Sequence, residues 1–446
     1  MKPYKVLVVD DSAFMRKIIS DLIENDADFQ VTATATNGRE AIQKINEFRP
    51  DLVTMDVEMP EMNGLEALKI IMASDPLPVI MLSGINEEGM KETILALEWG
   101  AFDFIRKPSI SNSQDIIGVG ESLREQMKEA MLARQQREAR ASSVKAPEQR
   151  PIEVSLKEPR RITEGKPRAT PRAITEKETV RSSRGRLSPE SGVPRKTPKS
   201  LTPPPKPAPE KIKNRPKPKE LDLISPKPQP VLEATHEVFS EPPSYSSRRR
   251  ANSMELQKLV AVGCSTGGPR ALKELLENIP ADFPAPIVIV QHMPPNFTKS
   301  LAQRLNTFSP LEVIEAEQGM ILRKGVAYIA PGGYHLQVAL STGGQYVVVL
   351  TKEEARNGHR PSVDVLFESL LSLTSLERHA LLMTGMGSDG ARMMKSLYDS
   401  GVASTFAESE ETCVVYGMPR SAVELKCVKY VLPLQEIAPR LVQAVK

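Results

Sequence analysis

The stretch from about residue 141 to about residue 253 decides how this chain can fold, because it cannot belong to a core. Roughly half of the chain's 38 prolines lie in it, aromatic residues are almost absent, and neither helical nor strand periodicity persists. It carries about 25 Lys and Arg against about 13 Asp and Glu while the whole chain has a net charge of +3, so the basic excess sits here and the flanking parts are mildly acidic. The 446 residues therefore divide into an N-terminal domain over 1–125, a helical extension and long disordered linker over 126–254, and a C-terminal domain over 255–446. A proline-interrupted basic tract without stacking aromatics reads as a solvated spacer, so no specific nucleic acid is expected.

Compartment follows from what the flanking parts contain. The three cysteines, Cys264, Cys413 and Cys427, show no paired spacing for a disulfide framework or a zinc site, which points to the reducing cytoplasm. The chain enters the strand-like run Lys5 to Val9 within a few residues, too soon for a signal peptide, and no apolar run approaches a transmembrane segment.

In the N-terminal part, short apolar runs alternate with amphipathic text: Lys5 to Val9, Val31 to Ala35, Leu52 to Met55, Val79 to Leu82 and Phe102 to Ile105. That rhythm predicts a five-stranded parallel, flavodoxin-like sheet covered by helices, with a charged helix over Glu121 to Arg140 leading into the linker. Asp10 and Asp11 follow the first run, Asp56 the third, Ser83 the fourth and Lys107 the fifth. Strand ends of such a sheet converge on one crevice, where crowded carboxylates call for a hard cation such as Mg2+. With Lys107 as fixed cation, Asp56 as nucleophile and Ser83 as a hydroxyl switch, the set suits phosphoryl transfer.

The segments Val-Val-Asp-Asp at 8–11, Met-Asp-Val-Glu-Met-Pro at 55–60, Asn63-Gly64 and Lys107-Pro108 make residues 1–125 similar to the response-regulator receiver family. That resemblance implies phosphorylation at Asp56, Mg2+ held by Asp10, Asp11 and Asp56, and switching through Ser83 and Lys107.

Beyond residue 255 a second α/β rhythm appears, at Leu259 to Val262, Ile287 to Val290, Val326 to Ile329, Val347 to Leu350 and Ala380 to Met383. It predicts a doubly wound domain. Gly263-Cys264-Ser265-Thr266-Gly267 lies between a strand and a helix-like run, the setting of a nucleophile elbow; a phosphate-cradling loop is the rival, but the glycine spacing and lysine of a P-loop are missing. Of four histidines in this part, only His292 immediately follows a strongly apolar strand, which makes it the candidate base. The run Leu381 to Met383 leads to Asp389, a carboxylate able to orient an imidazole. Taken singly, His292 could be a loop histidine and Asp389 a helix cap. The order Ser, His, Asp differs from that of the α/β-hydrolase fold.

Gly-Cys-Ser-Thr-Gly-Gly-Pro at 263–269, Gln-His-Met-Pro at 291–294, Arg-Pro-Ser-Val-Asp at 360–364, Gly-Met-Gly-Ser-Asp-Gly at 385–390 and Tyr-Gly-Met-Pro-Arg at 416–420 resemble the chemotaxis protein-glutamate methylesterase family. Ser388 and Cys264 depart from the Asn and Ala frequent there. The resemblance implies catalysis by Ser265, His292 and Asp389, with no cofactor for ester hydrolysis, on glutamate methyl esters of methyl-accepting chemotaxis receptors, with related glutamine deamidation. It further implies a chemotaxis histidine kinase as phosphodonor and a receiver that restrains the esterase until Asp56 is phosphorylated. The backbone N–H groups of Met386 and Thr266 are candidate oxyanion donors. Two competing readings are a receiver with a transcription-type output, supported only by the basic linker, and a scaffold with an unused triad.

Overall fold

The computed structural model describes residues 2–84, 86–108, 113–144 and 256–446. Most of the linker read from the sequence lies outside the described residues.

The first sheet is built from five runs, of which the inner three are buried on both faces, as a parallel sheet covered by helices requires, while the edge run Phe29–Ala35 is only partly buried. Its elements alternate as β1 (Tyr4–Val9), α1 (Ala13–Glu24), β2 (Phe29–Ala35), α2 (Gly38–Phe48), β3 (Leu52–Asp56), α3 (Gly64–Ser74), β4 (Val79–Ser83), α4 (Glu87–Glu98), β5 (Asp103–Arg106) and α5 (Ser113–Val144). Strand order is β2-β1-β3-β4-β5, all parallel. Helix starts are written into the chain: Ser12, Asn37, Asn63 and Asn86 each accept a backbone N–H of the first turn, and Asn63 with Glu66 closes a capping box. The pairing is level. Val9 lies opposite Met55, Met55 opposite Met81 and Ser83 opposite Arg106, so the residues that follow these strands emerge along one edge.

The second sheet uses β6 (Lys258–Cys264), α6 (Gly268–Glu277), β7 (Ile287–Gln291), α7 (Phe297–Asn306), β8 (Glu312–Glu315) and β9 (Val326–Ile329). Then follow β10 (His335–Leu340), β11 (Tyr346–Thr351), α8 (Val363–Ser369), β12 (Glu377–Leu382), α9 (Ala391–Asp399), β13 (Ser404–Glu408), α10 (Met418–Glu424), β14 (Tyr430–Leu432) and α11 (Leu434–Val445). Seven strands form a parallel sheet in the order β14-β13-β12-β6-β7-β9-β8. The run Val347 to Leu350, read with the sheet strands, belongs instead to an antiparallel hairpin of β10 and β11. Its alternating burial explains this: one face packs and the other meets solvent, unlike the fully buried central strands.

Chain order reverses at β6, whose neighbours are β7 on one side and β12 on the other. A crevice opens at such a switch point, beyond the carboxyl ends of the strands.

Candidate active site

Three strand ends bring Ser265, His292 and Asp389 to this crevice. Cys264 pairs with Gln291 across β6 and β7, so Ser265 and His292 each stand one residue beyond the same rung. The His292 N–H donates to the Cys264 carbonyl at 3.2 Å, and the Ser265 N–H donates to the Thr384 carbonyl just past β12 at 3.0 Å. Ser265 is half-buried at the start of a tight turn into α6. Gly267 takes φ 80° there, and a Cβ on Gly268 would stand 1.9 Å from Gln291 Oε1, so both glycines are required by geometry.

Gln291 ties the turn to His292. Its Nε2 donates to the carbonyl oxygens of Ser265 at 3.0 Å and His292 at 3.2 Å, and its Oε1 accepts from Cys264 Sγ at 3.1 Å. Cys264 is thus turned into the core, where burial pushes its thiol above its ordinary pKa, which leaves it inert beside the elbow serine.

His292 Nε2 lies 2.8 Å from Asp389 Oδ2, with both side chains buried, and Nδ1 has no hydrogen-bond partner. Asp389 also accepts from Val363 N (2.6 Å), Asn357 Nδ2 (2.7 Å), Ser362 Oγ (2.8 Å) and Asp364 N (3.2 Å). Burial opposes its charge, but His292, Asn357 and the Val363 N–H together hold the carboxyl well below the usual range. A carboxylate so fixed keeps a proton on Nε2 and leaves the Nδ1 lone pair as the basic position.

At the edge of the first sheet, Asp10, Asp11 and Asp56 place oxygen atoms within 4.8 Å of one another, and Lys107 Nζ reaches Asp56 at 2.6 Å and Asp10 at 2.9 Å. Burial pushes the Asp56 carboxyl up to about 6 against the pull of Lys107. Burial works against the charge of Lys107 as well, but Asp56 and Asp10 outweigh it and raise the ammonium above its ordinary value. Clustered hard oxygen donors of this kind suit Mg2+. Ser83 ends β4 as read from the sequence, and its Oγ accepts from Thr93 Oγ1 at 2.6 Å and donates to the Gly84 carbonyl at 3.1 Å.

Helix α4 and strand β5 of the first domain pack against α6 and α7 of the second. Glu98 of α4 accepts from both Nε and Nη2 of Arg304 on α7, at 2.9 and 3.0 Å. Phe104 of β5 lies against Phe297 with ring centroids 4.6 Å apart, and Asp103 accepts from Thr266 Oγ1 at 2.5 Å. Arg140 of α5 bonds the Glu410 side chain.

Residues that the sequence reading missed include Gln291, Asn357 and His359. Asn357-Gly358 carries a readable turn signal, but nothing local says which side chains the turn will approach.

An aspartate pocket on a five-stranded parallel sheet, packed on an α/β domain with a serine at a strand-to-helix elbow, defines a receiver-regulated hydrolase. Comparison gives the family. Residues 6–117 match the response regulator receiver domain, and residues 260–441 match the CheB methylesterase domain. The chain is 39% identical over 442 residues to a protein-glutamate methylesterase/protein-glutamine glutaminase of Halalkalibacterium halodurans, covering 99% of this chain and 98% of that one. It is 37% identical over 442 residues to the protein of the same name from Bacillus subtilis, again covering 99% and 98%. The methylesterase catalytic domain of Thermotoga maritima CheB superposes with a TM-score of 0.41 at 43% identity, over 42% of this chain and 99% of that one. The chain belongs to the protein-glutamate methylesterase/protein-glutamine glutaminase family.

Proposed function

We propose that this protein removes methyl groups from glutamate methyl esters of methyl-accepting chemotaxis receptors in the cytoplasm, and deamidates glutamine side chains there, under control of a chemotaxis histidine kinase. The observation that carries the reading is the buried His292–Asp389 pair, with His292 level with Ser265 beyond neighbouring strands and its Nδ1 unpartnered.

In this mechanism Ser265 Oγ attacks the ester carbonyl carbon while its proton passes to His292 Nδ1. Asp389 stabilises the imidazolium. The tetrahedral intermediate collapses, the methoxy group leaves as methanol with the proton from His292, and water then cleaves the acyl-enzyme by the same steps. With glutamine the leaving group is ammonia. The oxyanion is met by the N–H groups of Thr266 and Met386; among the described residues neither has an acceptor, while the neighbouring Gly385 N–H is committed to Val415. Each such donor is worth about 10² to 10³ in rate.

Control rests on the pocket around Asp56. Mg2+ held by Asp10, Asp11 and Asp56 would neutralise charge as the acyl phosphate forms on Asp56. Ser83 then turns to a phosphoryl oxygen and Lys107 pairs with the phosphate. Before phosphorylation the domain of residues 1–125 restrains the domain of residues 255–446 through Asp103, Phe104 and Glu98, with residues 126–254 as the connection between them.

Methanol release from methylated receptor membranes tests this, with and without a small phosphodonor plus Mg2+. Activity that rises with the phosphodonor, disappears in Ser265→Ala and loses its stimulation in Asp56→Asn is expected. Absence of release under every condition would leave a scaffold with an unused triad.

A further inference from the structure

A four-residue turn between β11 and α8 grips both members of the His292–Asp389 pair. Arg356 and His359 exchange backbone hydrogen bonds at 3.0 Å in each direction, and Asn357 and Gly358 between them take φ 54° and 81°, the paired left-handed conformations of a tight hairpin turn. One side chain of the turn serves the carboxylate: Asn357 Nδ2 donates to Asp389 Oδ1 at 2.7 Å and to Asp364 Oδ2 at 2.8 Å, while its Oδ1 accepts from Arg392 at 3.2 Å. Another serves the imidazole. The His359 ring lies over His292 with centroids 3.7 Å apart and planes 10° from parallel.

A single hydrogen bond to Asp389 fixes one ring atom of His292 and leaves the plane of the ring free to swing, because the terminal torsion of a histidine is broad. A flat group against one face removes that freedom. We propose that His359 is the positioning residue for the catalytic base, holding the plane of His292 so that its unpartnered Nδ1 is kept in the orientation that takes the Ser265 proton. The inference rests on the Ser265–His292–Asp389 reading above.

The contact also suits the charge that comes and goes. Two stacked imidazolium rings would repel, whereas a neutral aromatic face tolerates a cation. Burial and the neighbouring His292 push His359 down to about 4, so it is neutral while His292 gains and loses its proton. No nitrogen of His359 is needed for this; its face is.

The test compares His359→Phe, His359→Leu and His359→Ala in the full-length chain with phosphodonor and Mg2+, beside Ser265→Ala and His292→Ala. Melting temperatures identify any variant that does not fold. Leu and Ala are expected to lower kcat by about 10- to 100-fold with KM within about twofold, and Phe to restore kcat to within about threefold of wild type. Leu is close to His in volume and Phe is moderately larger, so their comparison stands if Ala fails to fold. Wild-type kcat in Leu or Ala, equal damage in Phe and Leu, or a rise in KM alone would each overturn the assignment. Turnover surviving in Ser265→Ala or His292→Ala would instead defeat the triad reading. Loss there with no effect at position 359 defeats this inference alone.

Discussion

Thr266, the residue after Ser265, donates its hydroxyl to Asp103 on the last strand of the receiver, at 2.5 Å and 163 positions away in sequence. The receiver thus touches the nucleophile elbow itself. Next to Asp103, Phe104 packs on Phe297 at the start of α7, a tilted aromatic contact worth about 0.5–1.5 kcal/mol beyond its buried area.

Asp103 makes this contact pH-dependent. Burial pushes its carboxyl up to about 6, although the Thr266 hydroxyl and Phe104 N–H pull the other way. A freely solvated Asp titrates near 4. The docked arrangement therefore has its full strength below about pH 4, loses it as pH rises toward 6, and is constant above that. Asp103→Asn removes the titration. Its unstimulated activity relative to wild type should fall by up to about tenfold between pH 5 and 7.5, and a ratio independent of pH would remove Asp103 from the restraint.

The Glu98–Arg304 pair links receiver and esterase through a bidentate contact in which Glu98 is only 5% exposed. Glu98→Ala leaves Arg304 to solvent and weakens docking by about 1–2 kcal/mol, after discounting for the exposed side of Arg304. Methanol release without phosphodonor should rise about 5- to 30-fold, with fully stimulated activity unchanged. Unaltered basal release would mean that the receiver is not held by this pair.

Gln291 is expected to matter through its amide hydrogens. Gln291→Glu preserves shape but loses the donor shared by the Ser265 and His292 carbonyls, and it sets a carboxylate against two backbone oxygens. A fall in kcat of about 10- to 100-fold is predicted from the misplaced nucleophile. Reactivity of Ser265 toward a fluorophosphonate probe should drop in parallel, and an undiminished labelling rate would contradict the prediction.

In the structure the Ser83 hydroxyl is bonded to Thr93 Oγ1, a bond that the proposed switch has to give up. Thr93→Val keeps the volume and removes this bond together with the one to the Gly89 carbonyl, which destabilises the resting arrangement by about 1 kcal/mol. Half-maximal stimulation should then need about fivefold less phosphodonor. An unchanged requirement would separate Thr93 from the switch.

Much of the fold was legible because parallel strands buried on both faces are written as unbroken apolar runs, as at Val79 to Leu82 and Ile287 to Val290. The strands at Glu312–Glu315 and Tyr430–Leu432 escaped, being short edge strands only partly buried; Ser404–Glu408 escaped although buried, because its sequence is half polar, and His335–Leu340 because it belongs to the antiparallel hairpin. That Ser265, His292 and Asp389 lie at one crevice could be read because each follows a strand and the strands are neighbours. Asn357 and His359 could not, since they reach the crevice from a turn after an antiparallel hairpin, and no periodicity in the chain encodes that approach. The contact between Asp103 and Thr266 depends on how two separate α/β units dock, which neither unit's own pattern records.

Strand order at the crevice also governs when catalysis can first exist. His292 and Asp389 are 97 positions apart, and β12, which delivers Asp389, pairs with β6 from far upstream. On a chain made from the N-terminus, the pocket around Asp56 and the strand bearing Asp103 are complete before Ser265 is translated, whereas the esterase has no orienting carboxylate until β12 has been made. In the proposed scheme the restraint therefore precedes the activity during biosynthesis, and a newly made molecule passes through no stage at which its esterase is assembled but ungoverned.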